Sequence, residues 1–319
     1  MKKFFLTFIT FLAISIILLS GTAYSEEPRR DVIIGFHQMP IPSEKALIHS
    51  EGGVVKHEYR LIPAVSASLS EQAIDNMRKN PRVAYIEDDL ILTIATDEYV
   101  NSSGVRHIGC EMTHNNGIDG TGVKVAVIDT GIDYTHEDLD ANYKGGYDFV
   151  FNDPDPFDDY NSHGTHVAGI IVAERNGIGV VGVAPNASLY AVRVLDSAGF
   201  GTVSWVIAGI EWAVDNDMDV AIMSSGTKED CQSLREACRN ASDAGVLLVA
   251  AAGNTDGGNV TYPARYDSVI AVTATDLNDS QASFSPIGPE VELAAPGVNI
   301  MSTTSGDGYG TLSGTSQAA

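Results

Sequence analysis

Asp129, His163 and Ser316 are the residues whose types and surroundings most plainly bear chemistry. Asp129 closes an apolar run, 123–128, and is followed by Thr130-Gly131, so a carboxylate stands at the end of a buried strand before a glycine turn. Such an acid is rigidly held; the plain alternative is an aspartate that caps the turn. His163 lies in Asn161-Ser162-His163-Gly164-Thr165-His166-Val167-Ala168-Gly169, which puts an imidazole on the first turn of a helix of small residues. His163 and His166, three apart on one helical face, would also suit a metal, but no H-E-x-x-H pattern or cysteine pair accompanies them. A structural histidine is the third reading. Ser316 ends Gly310-Thr311-Leu312-Ser313-Gly314-Thr315-Ser316, where a tight approach through small residues leaves its hydroxyl open. Carboxylate, imidazole and hydroxyl are together the groups of nucleophilic catalysis, in which a neighbouring base makes the hydroxyl reactive.

The elements that must position them form an alternating series. Residues 123–128, 189–195, 220–224, 246–251 and 269–273 are nearly continuous apolar runs of strand length, and 167–173, 203–214 and 234–244 read as helices between them. Apolar strands separated by helices imply a parallel sheet covered on both faces. Catalytic groups of such sheets collect at the carboxyl ends of the strands. Ahead of this lies a smaller unit, residues 31–95. Its runs 32–36 and 83–87 read as strands, and Ser70 caps a helix carrying Ala73, Ile74 and Met77 that Asn80-Pro81 stops. The polar, Gly-rich stretch 96–122 reads as a linker and boundary.

Asp, His and Ser in this order and with these flanks resemble the subtilisin family of serine proteases. The resemblance rests on Val-Ala-Val-Ile-Asp-Thr-Gly-Ile-Asp around Asp129, His-Gly-Thr-His-Val-Ala-Gly from His163 and Gly-Thr-Ser ending at Ser316, and it runs over most of 104–319. It implies the α/β fold of that family, a parallel sheet flanked by helices. It also implies a secreted endopeptidase in which Ser316 attacks the scissile carbonyl, His163 takes the proton and Asp129 orients His163. Asn254, in Ala251-Ala252-Gly253-Asn254, corresponds to the family's side-chain donor to the oxyanion. Protein or peptide substrates would lie as an extended strand between Gly199-Phe200-Gly201 and Ser224-Ser225-Gly226. Ile222 stands where the family often has Asn, at a position expected to support the pocket wall, and Thr261 is expected near the pocket base. Broad cleavage with a medium-sized or apolar preference follows. Gln317 replaces the Met usual after the nucleophile.

The same resemblance implies structural Ca²⁺. Glu174-Arg175-Asn176-Gly177-Ile178-Gly179-Val180 matches a calcium loop in which Asn176 binds through its side chain and Glu174, Ile178 and Val180 through carbonyls, completed by Asp138. The aspartates Asp148, Asp153, Asp155, Asp158 and Asp159 form a second candidate cation loop, or a solvated acidic one. Residues 26–96 resemble the family's propeptide, a small α+β ferredoxin-like chaperone and intramolecular inhibitor, with the maturation bond somewhere in 90–103.

Lys2 and Lys3, the apolar run 4–19 and Ala23-Tyr24-Ser25 make a secretory signal peptide over residues 1–25, with an uncleaved anchor as the alternative. No later segment is apolar enough to span a membrane. Net charge is −23, and it is concentrated: 97–319 carry 31 acidic and 9 basic side chains. That field argues against nucleic acid or an anionic membrane as partner. A monomer is expected. Three cysteines are too few for a disulfide framework; Cys231 and Cys238 are close enough to pair only if Cys231 precedes its helix. The domains expected are thus a signal peptide (1–25), a propeptide (26–96) and a peptidase domain (97–319). The sequence stops three residues after Ser316, where the family continues in a long buried helix, so the peptidase domain is expected to be truncated. The alternative function is a catalytically inactive product whose propeptide-like unit inhibits a related protease.

Overall fold

The computed structural model describes residues 28–40, 42–90, 98–157 and 160–319. The expected leader, half of the expected maturation region (91–97), Asp158 and Asp159 fall outside them. Two compact units are present, divided between Thr93 and Ile94.

The first unit runs β1 (Arg29–Phe36), α1 (Pro42–Ser50), β2 (Val54–Glu58), β3 (Ala64–Ser70), α2 (Glu71–Arg78) and β4 (Val83–Asp88). Its antiparallel sheet has the order β2-β3-β1-β4, the βαββαβ arrangement of ferredoxin-like domains. Alternate residues Val32, Ile34 and Phe36 of β1 and Val65, Ala67 and Leu69 of β3 meet Ile48 of α1 and Ala73, Ile74 and Met77 of α2 in one core. Ser70 caps α2 as expected, its Oγ accepting from Ala73 N at 3.3 Å.

The second unit opens with α3 (Glu98–Asn101), α4 (Ser103–His107) and α5 (Cys110–Asn115). This corrects the reading of 96–122 as a linker: Tyr99, Val105, Cys110 and His114 are buried. There follow β5 (Lys124–Asp129), β6 (Tyr143–Asp148), α6 (His163–Val172), β7 (Ser188–Arg193), α7 (Val203–Asp215), β8 (Val220–Met223), α8 (Gln232–Asp243), β9 (Leu247–Ala251), β10 (Ile270–Thr275) and β11 (Val291–Pro296). The seven strands form one parallel sheet, β11-β10-β9-β8-β5-β7-β6. Ala126 and Ile128 of β5 point into the core under α7 and α8, while Val125 and Val127 point into the core under α6. Both faces are therefore covered and β5 is held from both sides. The chain crosses from β7 over β5 to β8, so the topological switch of the sheet lies at the carboxyl end of β5, where Asp129 stands.

A hairpin, β12 (Ile300–Thr304) and β13 (Gly308–Leu312), leads into a 3₁₀ turn at Thr315–Gln317. Cys110, Cys231 and Cys238 are all unpaired; Cys231 does precede α8, but Cys238 is buried within it, where burial raises its thiol pKa to about 12. Among the described residues no helix is long and apolar enough to cross a membrane.

Candidate active site

Asp129 is 1% exposed. Its Oδ1 accepts from Thr130 N at 2.8 Å and from His163 Nδ1 at 2.7 Å, while Oδ2 is buried with no hydrogen-bond partner among the described residues. His163 begins α6, and that helix is pinned to the turn after β5. Gly164 N donates to Thr130 Oγ1 at 3.0 Å, and a Cβ on Gly164 would stand 2.1 Å from Gly131 O. No larger residue fits there, so the glycine after His163 is what brings the imidazole onto the carboxylate. With Nδ1 donating to Asp129, the ring's other nitrogen is left as the basic one.

His166, one turn on, has a different task. It is fully buried, its Nε2 donates to Gly310 O at 3.2 Å, and burial pushes its pKa down to about 4. Ser302 Oγ donates to His166 O and Thr303 Oγ1 to Thr165 O, both at 2.7 Å. These bonds clamp the β12–β13 hairpin onto α6. One ring thus meets Asp129 and the other a backbone carbonyl, and among the described residues no group of three or more His, Cys, Asp or Glu is arranged to hold a metal.

The clamped hairpin delivers Ser316, which is 7% exposed and whose Oγ donates to Ser224 O at 3.3 Å. Asn254 follows β9. Its Oδ1 accepts from Thr315 N at 3.0 Å and Thr315 Oγ1 at 3.2 Å, which fixes the amide and turns Nδ2 away from Thr315. A cleft of about 430 Å³ opens beside His163, lined by Thr130, Asn161 and His163 and by the stretches 199–203 and 224–227 with Tyr262 and Pro263, and Ser316 reaches its lining through the bond to Ser224 O. The two backbone edges expected for an extended ligand, residues 199–201 and 224–226, therefore face one cleft, and Phe200 stands 74% exposed on its rim. Thr261 packs against Gly226, its Oγ1 2.7 Å from where a Cβ on that glycine would stand.

The subtilase family profile matches residues 120–319. The chain is 45% identical over 296 residues to subtilisin NAT of Bacillus subtilis subsp. natto, covering 90% of this chain and 76% of that protein. It is 43% identical to subtilisin J of Geobacillus stearothermophilus, covering 99% and 84%, and 43% identical to an alkaline protease of Alkalihalobacillus alcalophilus, covering 97% and 83%. This chain belongs to the subtilase family.

In this subtilase Ile222 lies on the sheet face opposite Ala221 and Met223, packed with Val125, Val127 and Val167; it is not among the residues lining the cleft, although Ser224, two residues on, is.

The 174–180 loop packs around Asp138, which is fully buried. The Asp138 carboxylate accepts from Asn176 Nδ2 at 2.8 Å, Tyr309 Oη at 3.0 Å and Val180 N at 3.1 Å, all neutral donors, and burial raises its pKa. Carbonyls of Ala173, Gly179 and Val183 accept from Gly182 N, Asn101 Nδ2 and His114 Nε2. Those of Glu174, Ile178 and Val180 accept from no donor among the described residues. A buried carboxylate without a cation, beside three unengaged carbonyls, fits a hard divalent ion bound by oxygen. Among the described residues no group of three or more His, Cys, Asp or Glu is arranged to hold a metal, so any such site depends on these carbonyls.

The aspartate-rich loop is different. Asp148, fully buried, pairs with Arg193 Nη1 at 3.2 Å and accepts from Val150 N and Phe151 N, so its charge is already met. Tyr134 and the backbone of the loop engage Asp155 and Asp153. The loop is tied down by side chains of the protein itself. Sequence reading missed Thr315, which orients Asn254, and the Ser302–Thr303 clamp. Thr315 lay inside the Gly-Thr-Ser motif, and the hairpin was marked by the turn residues Gly306-Asp307 after a β-branched run.

Proposed function

We propose that this subtilase is a secreted serine endopeptidase that works through Asp129, His163 and Ser316. The observation that carries the reading is the 2.7 Å bond from His163 Nδ1 to the buried carboxylate of Asp129 at the switch point of the sheet. A peptide lies extended between residues 199–201 and 224–226, with one side chain above Thr261. Ser316 Oγ adds to the scissile carbonyl carbon as its proton passes to the second ring nitrogen of His163. Asp129, a single buried negative charge, keeps the proton on Nδ1 before the step and stabilises the imidazolium after it. The carbonyl π pair moves to oxygen, and Asn254 Nδ2 with Ser316 N supplies the hydrogen bonds that the oxyanion requires. His163 then protonates the leaving amine, and water repeats the sequence on the acyl ester.

Asp138 and Asn176, with the carbonyls of Glu174, Ile178 and Val180, would hold Ca²⁺. The ion supplies positive charge to a buried carboxylate and cross-links the loop, and it takes no part in the reaction. Residues 26–96 act as a propeptide, a reading supported by the βαββαβ unit with its own core, and leave after secretion directed by residues 1–25.

Proteolysis of an unfolded protein by the mature enzyme tests this function. Hydrolysis at internal bonds is expected, with a loss of at least about 10⁵-fold in Ser316→Ala, the size found when the serine of such a triad is removed. Hydrolysis that persists in that variant would refute the assignment.

A further inference from the structure

Gln317 follows Ser316 in the same 3₁₀ turn and is 4% exposed. Its side-chain nitrogen, Nε2, is buried and has no hydrogen-bond partner among the described residues. An amide N–H without an acceptor in a dry site is unfavourable, so it is expected to gain an acceptor in some working state of the protein. The question is which one.

On one side Gln317 borders a mostly apolar groove that includes Ile170, Val181, Ile222, Val249, Val272 and Leu293 and also Ser102 and Ala319. On the other side it folds back over Gly314, to whose carbonyl Gln317 N also donates at 3.2 Å. A Cβ placed on Gly314 would stand 2.9 Å from Gln317 Oε1, 3.4 Å from Asn254 Nδ2 and 3.7 Å from Ser316 N. The end of the Gln317 amide thus shares one small space with the two donors assigned above to the oxyanion. Glycine at 314 is what leaves that space open. A half-turn of the amide about its last side-chain bond brings Nε2 to where Oε1 now lies, facing the same space.

We propose that Gln317 is a further oxyanion donor, its Nε2 adding a third hydrogen bond to those from Asn254 Nδ2 and Ser316 N. This rests on the Asp129–His163–Ser316 reading, because only addition of Ser316 Oγ to a carbonyl places a full negative charge there. In the resting enzyme Nε2 has no acceptor among the described residues. In the tetrahedral intermediate it has a charged one. A bond made only at that stage raises kcat and leaves KM unchanged.

The test is made on the mature enzyme with Gln317→Met and Gln317→Ala, which remove the donor, and Gln317→Glu, which keeps the length but replaces the donor by a carboxylate. Expected are a fall in kcat of about 10- to 100-fold with KM within twofold for Met and Ala, and a larger fall for Glu. Affinity for a peptide trifluoromethyl ketone, which forms an anionic hemiketal on the serine, should weaken in parallel with kcat/KM, while affinity for the cleaved product peptide stays level. A residue that merely packs would not separate those two ligands. In the unsubstituted enzyme the Gln317 side-chain amide protons should move downfield on hemiketal formation, a measurement that survives even if every variant misfolds. Retention of kcat within twofold by Met and Ala, or an unmoved amide resonance, would overturn the role of Gln317 while leaving the triad standing. An unsubstituted enzyme that forms no hemiketal would overturn both.

Discussion

The end of β5 and the 174–180 loop each bury an aspartate, and what faces the carboxylate differs. Asp129 meets His163, an imidazole, which can carry positive charge. Asp138 meets an amide, a phenol and a backbone N–H, none of which can carry positive charge. On the proposed function the first carboxylate serves a histidine that moves a proton, and the second would hold an ion from outside. Asp148, with Arg193 permanently beside it, shows the third solution, a charge satisfied within the chain. Burial alone therefore assigns no role to an acid in this fold; the partner does.

Four changes would break or sharpen that comparison. The largest effect is expected for Asp129→Asn, which keeps the shape and removes the charge. A loss on the order of 10⁴-fold in kcat is expected, the magnitude known for serine proteases with this arrangement, with little change in thermal stability. An effect on stability alone would move Asp129 into the class of Asp148. Arg193→Met comes next. It strands the Asp148 charge in the interior, which costs about 3–5 kcal/mol, and chemical denaturation should show that loss of stability.

His166 gives the third test, through pH. Its folded pKa of about 4 lies below the ordinary 6.5, so on acidification the unfolded chain takes up the proton first. Its contribution is intact above about pH 6.5 and is lost progressively between there and about pH 4, roughly 3 kcal/mol in all. Urea midpoints at pH 7 and pH 4.5 should differ less in His166→Gln than in the parent. The smallest effect is expected for Asp138→Asn. The parent should gain about 2.7 kcal/mol at Ca²⁺ a hundredfold above its Kd and lose it on chelation, whereas the variant should respond to neither. An equal response in both would separate Asp138 from any cation.

The central strands were legible in the sequence because each is buried on both faces and reads as an unbroken apolar run. The two strands that were not, Tyr-Lys-Gly-Gly-Tyr-Asp in β6 and Val-Glu-Leu-Ala-Ala-Pro in β11, are the two edges of the sheet. An edge strand is covered on fewer sides, so glycine and charge enter it and the apolar signal fades. The helices α3 to α5 span four to six residues, too short for a period of 3.6 to show. Within the site, Asp129, His163 and Ser316 were legible as motifs because each needs a special backbone: a strand end, a helix start pressed on Gly131, a turn after Gly314. Thr315 and Gln317 were not, since their roles depend on which way a side chain folds within one turn.

The assignment of Asp129, His163 and Ser316 as one catalytic unit is tested most directly by a fluorophosphonate probe followed by peptide mapping of the mature protein. The account predicts a single adduct, on Ser316 Oγ, formed at least 10³-fold more slowly in His163→Ala, on the order of the loss when a triad member is removed. An adduct on another serine, or labelling of Ser316 that does not depend on His163, would contradict it.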